Sequence, residues 1–203
     1  MSERWIPLDV SDTDPDPFGQ FRRWFDEAAP EMREREAIAL ITATSDARPS
    51  ARMVLLRYVG SDGFGWYSNF LSRKGQDLAQ NPYASLLWYC EPLGRQIRIE
   101  GTVRRMDEAS SDAYFASRPR GHQIGAHASA QSSVLAERAE LERRLAQLEE
   151  EFDGATVPRP ENWGGFHLTP NTFEFWQHRQ DRLHDRVVFV LEGSQWRRQR
   201  LAP

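Results

Sequence analysis

The feature that most constrains the fold is a run of short apolar segments joined by turns of a few residues. Residues 37–44, 50–59 and 64–68 are rich in β-branched, aliphatic and aromatic side chains, and SDARP and GSDG separate them. Turns this short join neighbouring antiparallel strands, because a parallel connection needs a dozen or more residues. We therefore predict an antiparallel meander in the first third of the chain.

The rest of the chain adds hairpins and a few helices. Further strands are predicted at residues 83–90, 95–106, 163–169, 172–177, 182–191 and 195–200. Asp16 is predicted to cap a first helix that has Pro17 at its first position. Further helices are predicted at residues 72–80, from Asp107 to a break at SRPRGHQ, and at residues 133–152. This pattern is typical of the α+β class with a closed or nearly closed barrel. One domain is expected over residues 16–203, after a mobile Asp- and Pro-rich segment at residues 1–15.

The bulk composition argues against several classes of protein. A formal net charge of −4 over 203 residues argues against nucleic-acid binding, since such domains carry a basic footprint. The longest apolar run, AIALITA, is far shorter than the roughly 20 residues of a membrane span, and the first residues lack the pattern of a secretory signal. The single Cys90 cannot form an internal disulfide, so we expect a buried thiol in a cytoplasmic protein that binds no membrane.

Common catalytic and nucleotide-binding motifs are absent from the sequence, which contains no GxGxxG, P-loop, HExxH, CxxC pair or GxSxG. His122 and His127 are five residues apart without a third ligand, so no metal site is predicted. What remains are scattered groups suited to anions, namely Arg52, Arg57, Ser72, Arg73, Lys74, Gln96, Arg118, Arg120, Gln131, Ser132, Ser133 and the cationic stretch near the end.

The tripeptide Ser72-Arg73-Lys74 precedes a predicted helix. If Ser72 caps that helix, its first free N–H groups and its partial positive charge coincide with the two cations. Such an arrangement holds a phosphate without a glycine-rich loop. An ordinary capped surface helix with two solvated cations fits the same residues, and the tripeptide alone leaves both interpretations open.

The stretch EFWQHRQDRLHDRVVFV gathers several cations where a strand is predicted to begin. If residues 182–190 are extended, Arg182, His184 and Arg186 project from the same side. Their mutual repulsion calls for an anion over that face, or for a solvated face on which Asp181 and Asp185 act as counterions. Likewise, a strand residue such as Trp176 either stacks on a planar ligand or belongs to the core.

Eight sequence blocks together resemble the pyridoxamine 5′-phosphate oxidase family. They follow the family's order with almost no shift in spacing, from about Asp16 to the terminal RLAP. The blocks are RMVLLR at 52–57, YSNFLSRKGQDL at 67–78, NPYASLL at 81–87, RQIRIEG at 95–101, YFASRPRGHQIGA at 114–126, QSS at 131–133, WGGF at 163–166, and EFWQ with RLHDR within 174–186. Each block is weak, but the set is highly specific.

The resemblance implies a homodimeric FMN-binding split β-barrel, mostly antiparallel with peripheral helices, and with the flavin at the subunit interface. It further implies oxidation of pyridoxamine or pyridoxine 5′-phosphate to pyridoxal 5′-phosphate, with O₂ reduced to H₂O₂. The implied cofactor-binding residues are Arg52, Met53, Val54, Leu55, Leu56, Arg57, Tyr67, Ser68, Arg73, Lys74, Gln96, Gln131, Ser132, Trp176 and Arg186. The implied substrate-binding residues are Arg57, Tyr114, Arg118, His122, Arg182, Leu183 and His184.

Within these sets, the resemblance assigns Arg52, Arg73 and Lys74 to the FMN phosphate, supported by Ser132. Tyr114 and Arg118 are expected to hold the substrate phosphate. Arg182 and His184 are expected to lie against the substrate ring as the catalytic residues, Arg182 by orienting the substrate and His184 by assisting proton movement.

The sequence departs from the family pattern on the substrate side. Arg57 stands where the family usually has Lys, His122 where a small hydroxyl residue is frequent, and His127 where Trp is common. Two alternatives therefore stay open, a related flavin oxidase such as those of phenazine assembly and a non-catalytic FMN- or haem-binding split barrel. The retained RLHDR and SRPRG blocks favour the vitamin B6 substrate.

Overall fold

The computed structural model describes residues 6–203, so the first five residues of the predicted mobile segment lie outside it. In this range the chain forms five α-helices and nine strands. They are α1 (Pro17–Glu27), β1 (Ala37–Ala43), β2 (Pro49–Leu55), β3 (Tyr58–Val59), β4 (Phe64–Asn69), α2 (Arg73–Gln80), β5 (Tyr83–Cys90), β6 (Arg95–Arg105), α3 (Glu108–Ser117), α4 (Arg120–Ala128), α5 (Arg138–Glu151), β7 (Trp163–Gln177), β8 (Asp185–Glu192) and β9 (Gln195–Leu201).

The strands form one sheet in the order β2-β1-β5-β6-β7-β4-β3, and β8 and β9 continue it from β7. Every pairing is antiparallel. Strand β7 pairs with β4 through its first residues and with β8 through its last, while β6 pairs with it on the other side. The sheet therefore branches and curls, which confirms the predicted antiparallel α+β fold.

Strand β7 is continuous where the sequence predicted two strands separated at residues 170–171. The pairing of β6 with β7 shifts register between Glu100 and Gly101, which marks a bulge rather than a turn. A Cβ atom at Gly101 would lie 2.1 Å from the carbonyl oxygen of Thr169, so only glycine permits this close approach. The bulge keeps β7 unbroken across both halves of the sheet.

Helix α1 covers the inner face of the sheet and builds the main core. Asp16 caps this helix as predicted, since its side chain accepts hydrogen bonds from the backbone N–H groups of Phe18 and Gly19. The rings of Trp24 and Phe175 meet edge to face, with centroids 5.4 Å apart. The core also contains the inward residues Ile38, Leu40, Leu86, Trp88, Cys90, Ile97, Ile99, Phe173 and Phe189, so the prediction of a buried Cys90 is confirmed.

A second, smaller core lies under α3, α4 and α5, where Phe115, Ile124, Leu148 and Trp163 are buried together. The predicted break SRPRGHQ is only a short link, because α3 ends at Ser117 and α4 begins at Arg120. Helix α5 was predicted from residue 133 but begins five residues later, since the apolar repeat that indicated it starts only at Leu141. This second core holds α4 and the following loop beside β4.

The predicted strand 50–59 is interrupted at residues 56–57. The N–H of Leu56 donates to the carbonyl oxygen of Glu36, whereas the N–H of Arg57 donates to the carbonyl oxygen of Gly65 in β4. The chain changes its pairing partner there, which alternation of side chains could not predict.

The prediction that residues 182–191 form a strand is wrong at its start. Gln180–Arg182 form a 3₁₀ turn in which Asp181 and Arg182 have φ angles of 55° and 62°, and β8 begins only at Asp185. The N–H of Arg179 donates to Nδ1 of His184 across this turn at 3.2 Å. Arg182 and His184 therefore do not alternate with Arg186 along one strand.

Residues 8–13 lie against the sheet, although their composition indicated a mobile segment. Leu8 is buried, and its N–H donates to Asp185 at 3.0 Å. Arg198 and Arg200 of β9 donate to the carbonyl oxygens of Thr13 and Leu8. These contacts join residues distant in sequence, so composition gave no signal of them.

No helix within residues 6–203 is long and apolar enough to cross a membrane.

Candidate active site

A cleft of about 310 Å³ lies where β4, the start of α2 and the helices α3 and α4 meet. It is lined by Met53, Val54, Leu55, Arg57, Tyr67, Ser68, Asn69, Lys74, Tyr114, Arg118, His122, Gln131 and Trp163. All of these except Asn69 and Trp163 are residues that the sequence predicted as cofactor- or substrate-binding. Trp163 was not predicted as a site residue, because an aromatic residue at the start of a strand is expected to pack in the core.

Lys74 forms the polar centre of the cleft and is the only lysine in the chain. Its Nζ atom donates to the hydroxyl oxygens of Ser68 and Ser72, both at 3.0 Å, and to Oε1 of Gln131 at 3.2 Å. Burial, with a smaller effect of the nearby Arg52 guanidinium, lowers the pKa of this amine from 10.5 to about 8. All three acceptors are neutral, so none of these hydrogen bonds pairs the ammonium with a negative charge.

Helix α2 begins where predicted, but Ser72 does not cap it. Its hydroxyl donates to the carbonyl oxygen of Asn69 at 2.7 Å and accepts from Lys74 instead. The first N–H groups of α2 are therefore left without a side-chain cap, next to the exposed Arg73. This combination of free N–H groups and cations suits an anion.

Arg52 lies behind Lys74 and does not line the cleft. Its Nη1 atom donates to the carbonyl oxygen of Leu40 at 3.2 Å and to the hydroxyl of Thr42 at 2.7 Å. That hydroxyl donates to Oδ2 of the buried Asp77 at 2.6 Å, and the same oxygen lies 3.8 Å from Nη2 of Arg52. No local sequence pattern indicated Thr42 and Asp77, because their contact requires α2 to pack on β1.

Aromatic rings form one wall of the cleft. The rings of Tyr67 and Tyr114 are stacked with centroids 3.8 Å apart, and Trp163 lies parallel to Tyr114 at 6.2 Å. The Arg118 guanidinium lies 4.6 Å above the Trp163 ring, and burial lowers its pKa. Its buried Nη1 has no hydrogen-bond partner within residues 6–203. A buried N–H of this kind is costly unless a ligand satisfies it.

Other predicted residues lie at the edge of the cleft or outside it. Arg57 and His122 are exposed at its edge, whereas Leu56 is buried in the main core. Ser132 has a φ angle of 76° and lines a neighbouring cleft. Within residues 6–203 no group of three or more His, Cys, Asp or Glu side chains could hold a metal ion.

A second group of predicted residues lies across β6, β7 and β8, apart from the cleft lining. Gln96 pairs with Trp176, and Trp176 pairs with Arg186. The buried carboxylate of Glu174 accepts from Nε of Arg186 at 2.8 Å and from Nη2 of Arg98 at 2.5 Å. The two arginines hold the pKa of Glu174 below its usual value, although burial by itself would raise it.

His184, Leu183 and Arg182 belong to this second group. The His184 ring centroid lies 4.5 Å from that of Trp176, and Leu183 and Arg182 are exposed in the turn. Burial, together with the nearby His178 and Arg182, lowers the pKa of His184. The hydrogen bond from the Arg179 N–H makes Nδ1 of His184 an acceptor.

The fold is an antiparallel split barrel with a cationic cleft beside the N-terminus of α2. A family model described as "Pyridoxamine 5'-phosphate oxidase" matches residues 25–152. A second, described as "Pyridoxine 5'-phosphate oxidase C-terminal dimerisation region", matches residues 163–203. The chain therefore belongs to the pyridoxamine 5′-phosphate oxidase family, as its sequence blocks predicted.

Curated relatives are similar over nearly the whole chain. The pyridoxine/pyridoxamine 5′-phosphate oxidase of Rubrobacter xylanophilus is 53% identical over 191 residues, which cover 94% of this chain and 88% of that one. The protein of the same name from Paraburkholderia phymatum is 51% identical, with 97% and 93% of the two chains covered.

Solved structures confirm the split-barrel fold. The chain is similar to PhzG from Burkholderia lata 383 in complex with tetrahydrophenazine-1-carboxylic acid, with a TM-score of 0.91, 32% identity, and 98% and 100% of the two chains covered. It is also similar in fold to a pyridoxamine 5′-phosphate oxidase-related, FMN binding protein from Nostoc punctiforme PCC 73102. That match has a TM-score of 0.73 at 14% identity and covers 92% and 97% of the chains.

Proposed function

We propose that the protein is an FMN-dependent oxidase that converts pyridoxamine 5′-phosphate or pyridoxine 5′-phosphate to pyridoxal 5′-phosphate and reduces O₂ to H₂O₂. The observation that carries this proposal is the buried ammonium of Lys74, which within residues 6–203 donates only to neutral oxygens beside the uncapped N-terminus of α2. Its environment lacks one anion, and a phosphate group supplies it.

The residues around Lys74 fit the phosphate of FMN. Arg73 stands at the first position of α2, and Arg52 lies close enough to lower the pKa of Lys74. Three cations and the free N–H groups of one helix turn suit a phosphate dianion. The carboxylate of Asp77 offsets part of their positive charge. In this assignment Lys74, Arg73 and Arg52 hold the phosphate, and the wall of Tyr67 borders the flavin.

A second phosphate, that of the substrate, fits the other end of the cleft. Arg118 offers a buried Nη1 without a partner within residues 6–203, and Arg57 and His122 lie in the same lining. Trp163 fixes the plane of the Arg118 guanidinium by stacking beneath it. Arg118 and Tyr114 would thus hold the substrate phosphate, with Arg57 and His122 at its edge.

When bound, FMN would supply the two-electron oxidation at the C4′ carbon with O₂ as the final electron acceptor, and for the amine substrate water would hydrolyse the resulting imine so that ammonia leaves. The protein supplies placement and charge. Arg182 orients the substrate ring, and Nε2 of His184 holds or moves a proton, because Nδ1 is occupied by the N–H of Arg179. Glu174 fixes Arg186, which contributes positive charge beside the flavin.

The site would be completed by a second subunit. Trp176, Arg182, His184 and Arg186 lie outside the lining of their own chain's cleft, and all four fall within residues 163–203, which match the dimerisation-region model. A homodimer with FMN at the interface would bring these residues to the partner's cleft. Each active site would then contain both groups of predicted residues.

The similarity to PhzG supports a second candidate, a flavin oxidase that acts on a phenazine precursor. At 32% identity this relationship is weaker than the 53% identity to a pyridoxine/pyridoxamine 5′-phosphate oxidase. We therefore favour the vitamin B6 substrate.

The test is to purify the protein, identify any released flavin, and follow H₂O₂ with pyridoxamine and pyridoxine 5′-phosphates. We expect a yellow protein that releases FMN and forms peroxide with at least one of these substrates. Bound FMN without peroxide would instead favour the phenazine-type oxidase or a flavin-binding protein. A protein that cannot bind FMN even after reconstitution would contradict the proposal.

A further inference from the structure

The geometry points to Thr42 as a positioning residue that keeps Arg52 available for the cofactor phosphate and prevents it from pairing fully with Asp77. This inference rests on the proposed FMN site, because it concerns one of the cations assigned to that phosphate. Thr42 lies on β1, does not line the cleft, and acts only through Arg52.

The hydroxyl of Thr42 stands between two opposite charges. It is 2.7 Å from Nη1 of Arg52 and 2.6 Å from Oδ2 of Asp77, and the side chains of Asp77 and Arg52 are 5% and 19% exposed. Asp77 and Thr42 are themselves buried. At this depth, solvent cannot replace a missing partner, so each contact constrains the next.

The direction of these hydrogen bonds follows from the number of protons. A threonine hydroxyl has one proton to donate, and Asp77 as a carboxylate only accepts. The proton therefore points to Asp77, and a lone pair of the same oxygen faces Arg52. Asp77 thus sets the polarity of the hydroxyl, and the hydroxyl fixes Nη1 of Arg52 together with the carbonyl of Leu40.

Within residues 6–203, the Nε–Nη2 edge of the guanidinium makes no hydrogen bond. Nη1 carries both hydrogen bonds, whereas Nη2 is 3.8 Å from Asp77, beyond hydrogen-bond distance. The Nε–Nη2 edge can then bind a phosphate in the two-pronged manner that guanidinium groups favour. Without the hydroxyl, Asp77 loses its donor, and closing the 3.8 Å gap would draw Arg52 away from the phosphate.

The test compares FMN with riboflavin, which lacks the phosphate, on flavin-free protein by quenching of flavin fluorescence. We expect Thr42→Val to weaken FMN binding about tenfold or more, the range for losing a hydrogen bond to a charged group, and to leave riboflavin binding unchanged. Thr42→Ser, which keeps the hydroxyl, should bind FMN as the wild type does. Where Thr42→Val does not fold, Thr42→Ala removes the same hydroxyl and carries the same expectation.

The chain provides a matched control in the turn between β1 and β2. There Thr44 donates to Asp46 at 2.5 Å and Arg48 pairs with Asp46 at 2.8 Å, the same three residue types at an exposed position. Thr44→Val should change the affinity for neither flavin. In an Asp77→Asn background the penalty of Thr42→Val should shrink, because the competing carboxylate is gone.

The outcomes separate this inference from the proposed function. Equal losses of FMN and riboflavin affinity in Thr42→Val would mean a merely structural role and would overturn the inference, as would an unchanged FMN affinity. In both cases, wild-type preference for FMN over riboflavin would still support the phosphate site. A wild type that binds the two flavins equally would overturn the phosphate site and this inference together.

Discussion

At the scale of single residues, the chain places its only lysine where an amine is hardest to keep charged. Lys74 is buried among neutral oxygens, and desolvation favours the uncharged form. Twenty-five other basic positions are arginine, which stays protonated at any physiological pH. The proposed cofactor site therefore contains one cation whose charge depends on pH.

We expect FMN affinity to fall as the pH rises through about 8, the lowered pKa of Lys74. The protonated amine binds the phosphate and the neutral amine does not, so affinity is full below this pKa and is lost above it. The measurement is the FMN dissociation constant from pH 7 to pH 9.5. Lys74→Met should bind FMN weakly with a flat profile, and an equally steep profile in that variant would contradict the assignment.

The exposed Arg182 allows a test of the catalytic assignment. Arg182→Ala should lower kcat about a hundredfold, the scale of a lost orienting contact, while FMN content stays at the wild-type level. Steady-state kinetics with flavin quantification would measure both. Arg197→Ala, which removes an exposed arginine of β9 that pairs with Glu192 of β8, serves as the control. Unchanged turnover in Arg182→Ala with bound FMN would show that the role is misassigned.

The family blocks predicted most residues of the cleft, but not the contacts that hold them. The resemblance pointed to Lys74, Tyr67 and Arg118, which the cleft brings together. The pair formed by Thr42 and Asp77 spans 35 positions and depends on how a helix packs on a strand, so no local pattern indicated it.

At the scale of elements, short strands with alternating burial were predictable and their ends were not. Strand β5 runs over the predicted residues 83–90, with alternate side chains in the core. The strand predicted from residue 182 begins only at Asp185, because Arg182 ends a 3₁₀ turn across which the N–H of Arg179 donates to Nδ1 of His184. A side-chain hydrogen bond within the turn thus competes with the extended conformation that alternation of side chains suggested.

The bulge at Gly101 gives a prediction for the sheet. Gly101→Ala should lower the free energy of unfolding by about 2 kcal/mol or more, because the new methyl group meets the backbone oxygen of Thr169, which cannot move freely. Urea denaturation would measure the change. Gly125→Ala in α4, where within residues 6–203 nothing beyond the chain neighbours and the helix's own backbone lies within 4 Å of the added Cβ, should be neutral or stabilising. Equal stabilities of the two variants would contradict the strain argument.

At the scale of the whole molecule, the predicted site residues fall into two groups on one chain. One group lines the cleft beside Lys74, and the other lies across β6, β7 and β8. The resemblance predicted a site between subunits, whereas no property of the sequence alone indicated that the two groups lie apart. Their separation has a direct consequence for mixed dimers.

A dimer of one Lys74→Met chain and one Arg182→Ala chain should recover activity that neither homodimer has. In a symmetric dimer with shared sites, one site receives both substitutions and the other neither, so turnover per dimer should reach about half that of the wild type. Co-expression with two different affinity tags isolates the mixed species for assay. Activity at the background level would mean that each site is built within one chain.

The burial of Lys74 also bears on how the protein would tolerate what it makes. Pyridoxal 5′-phosphate is an aldehyde, and aldehydes condense with unprotonated side-chain amines but scarcely with guanidinium groups. A surface whose positive charge comes from arginine offers this compound almost nothing to attach to, and the one ε-amino group is buried, where the cofactor would shield it. The choice of arginine over lysine would thus leave few side-chain amines for the product to condense with.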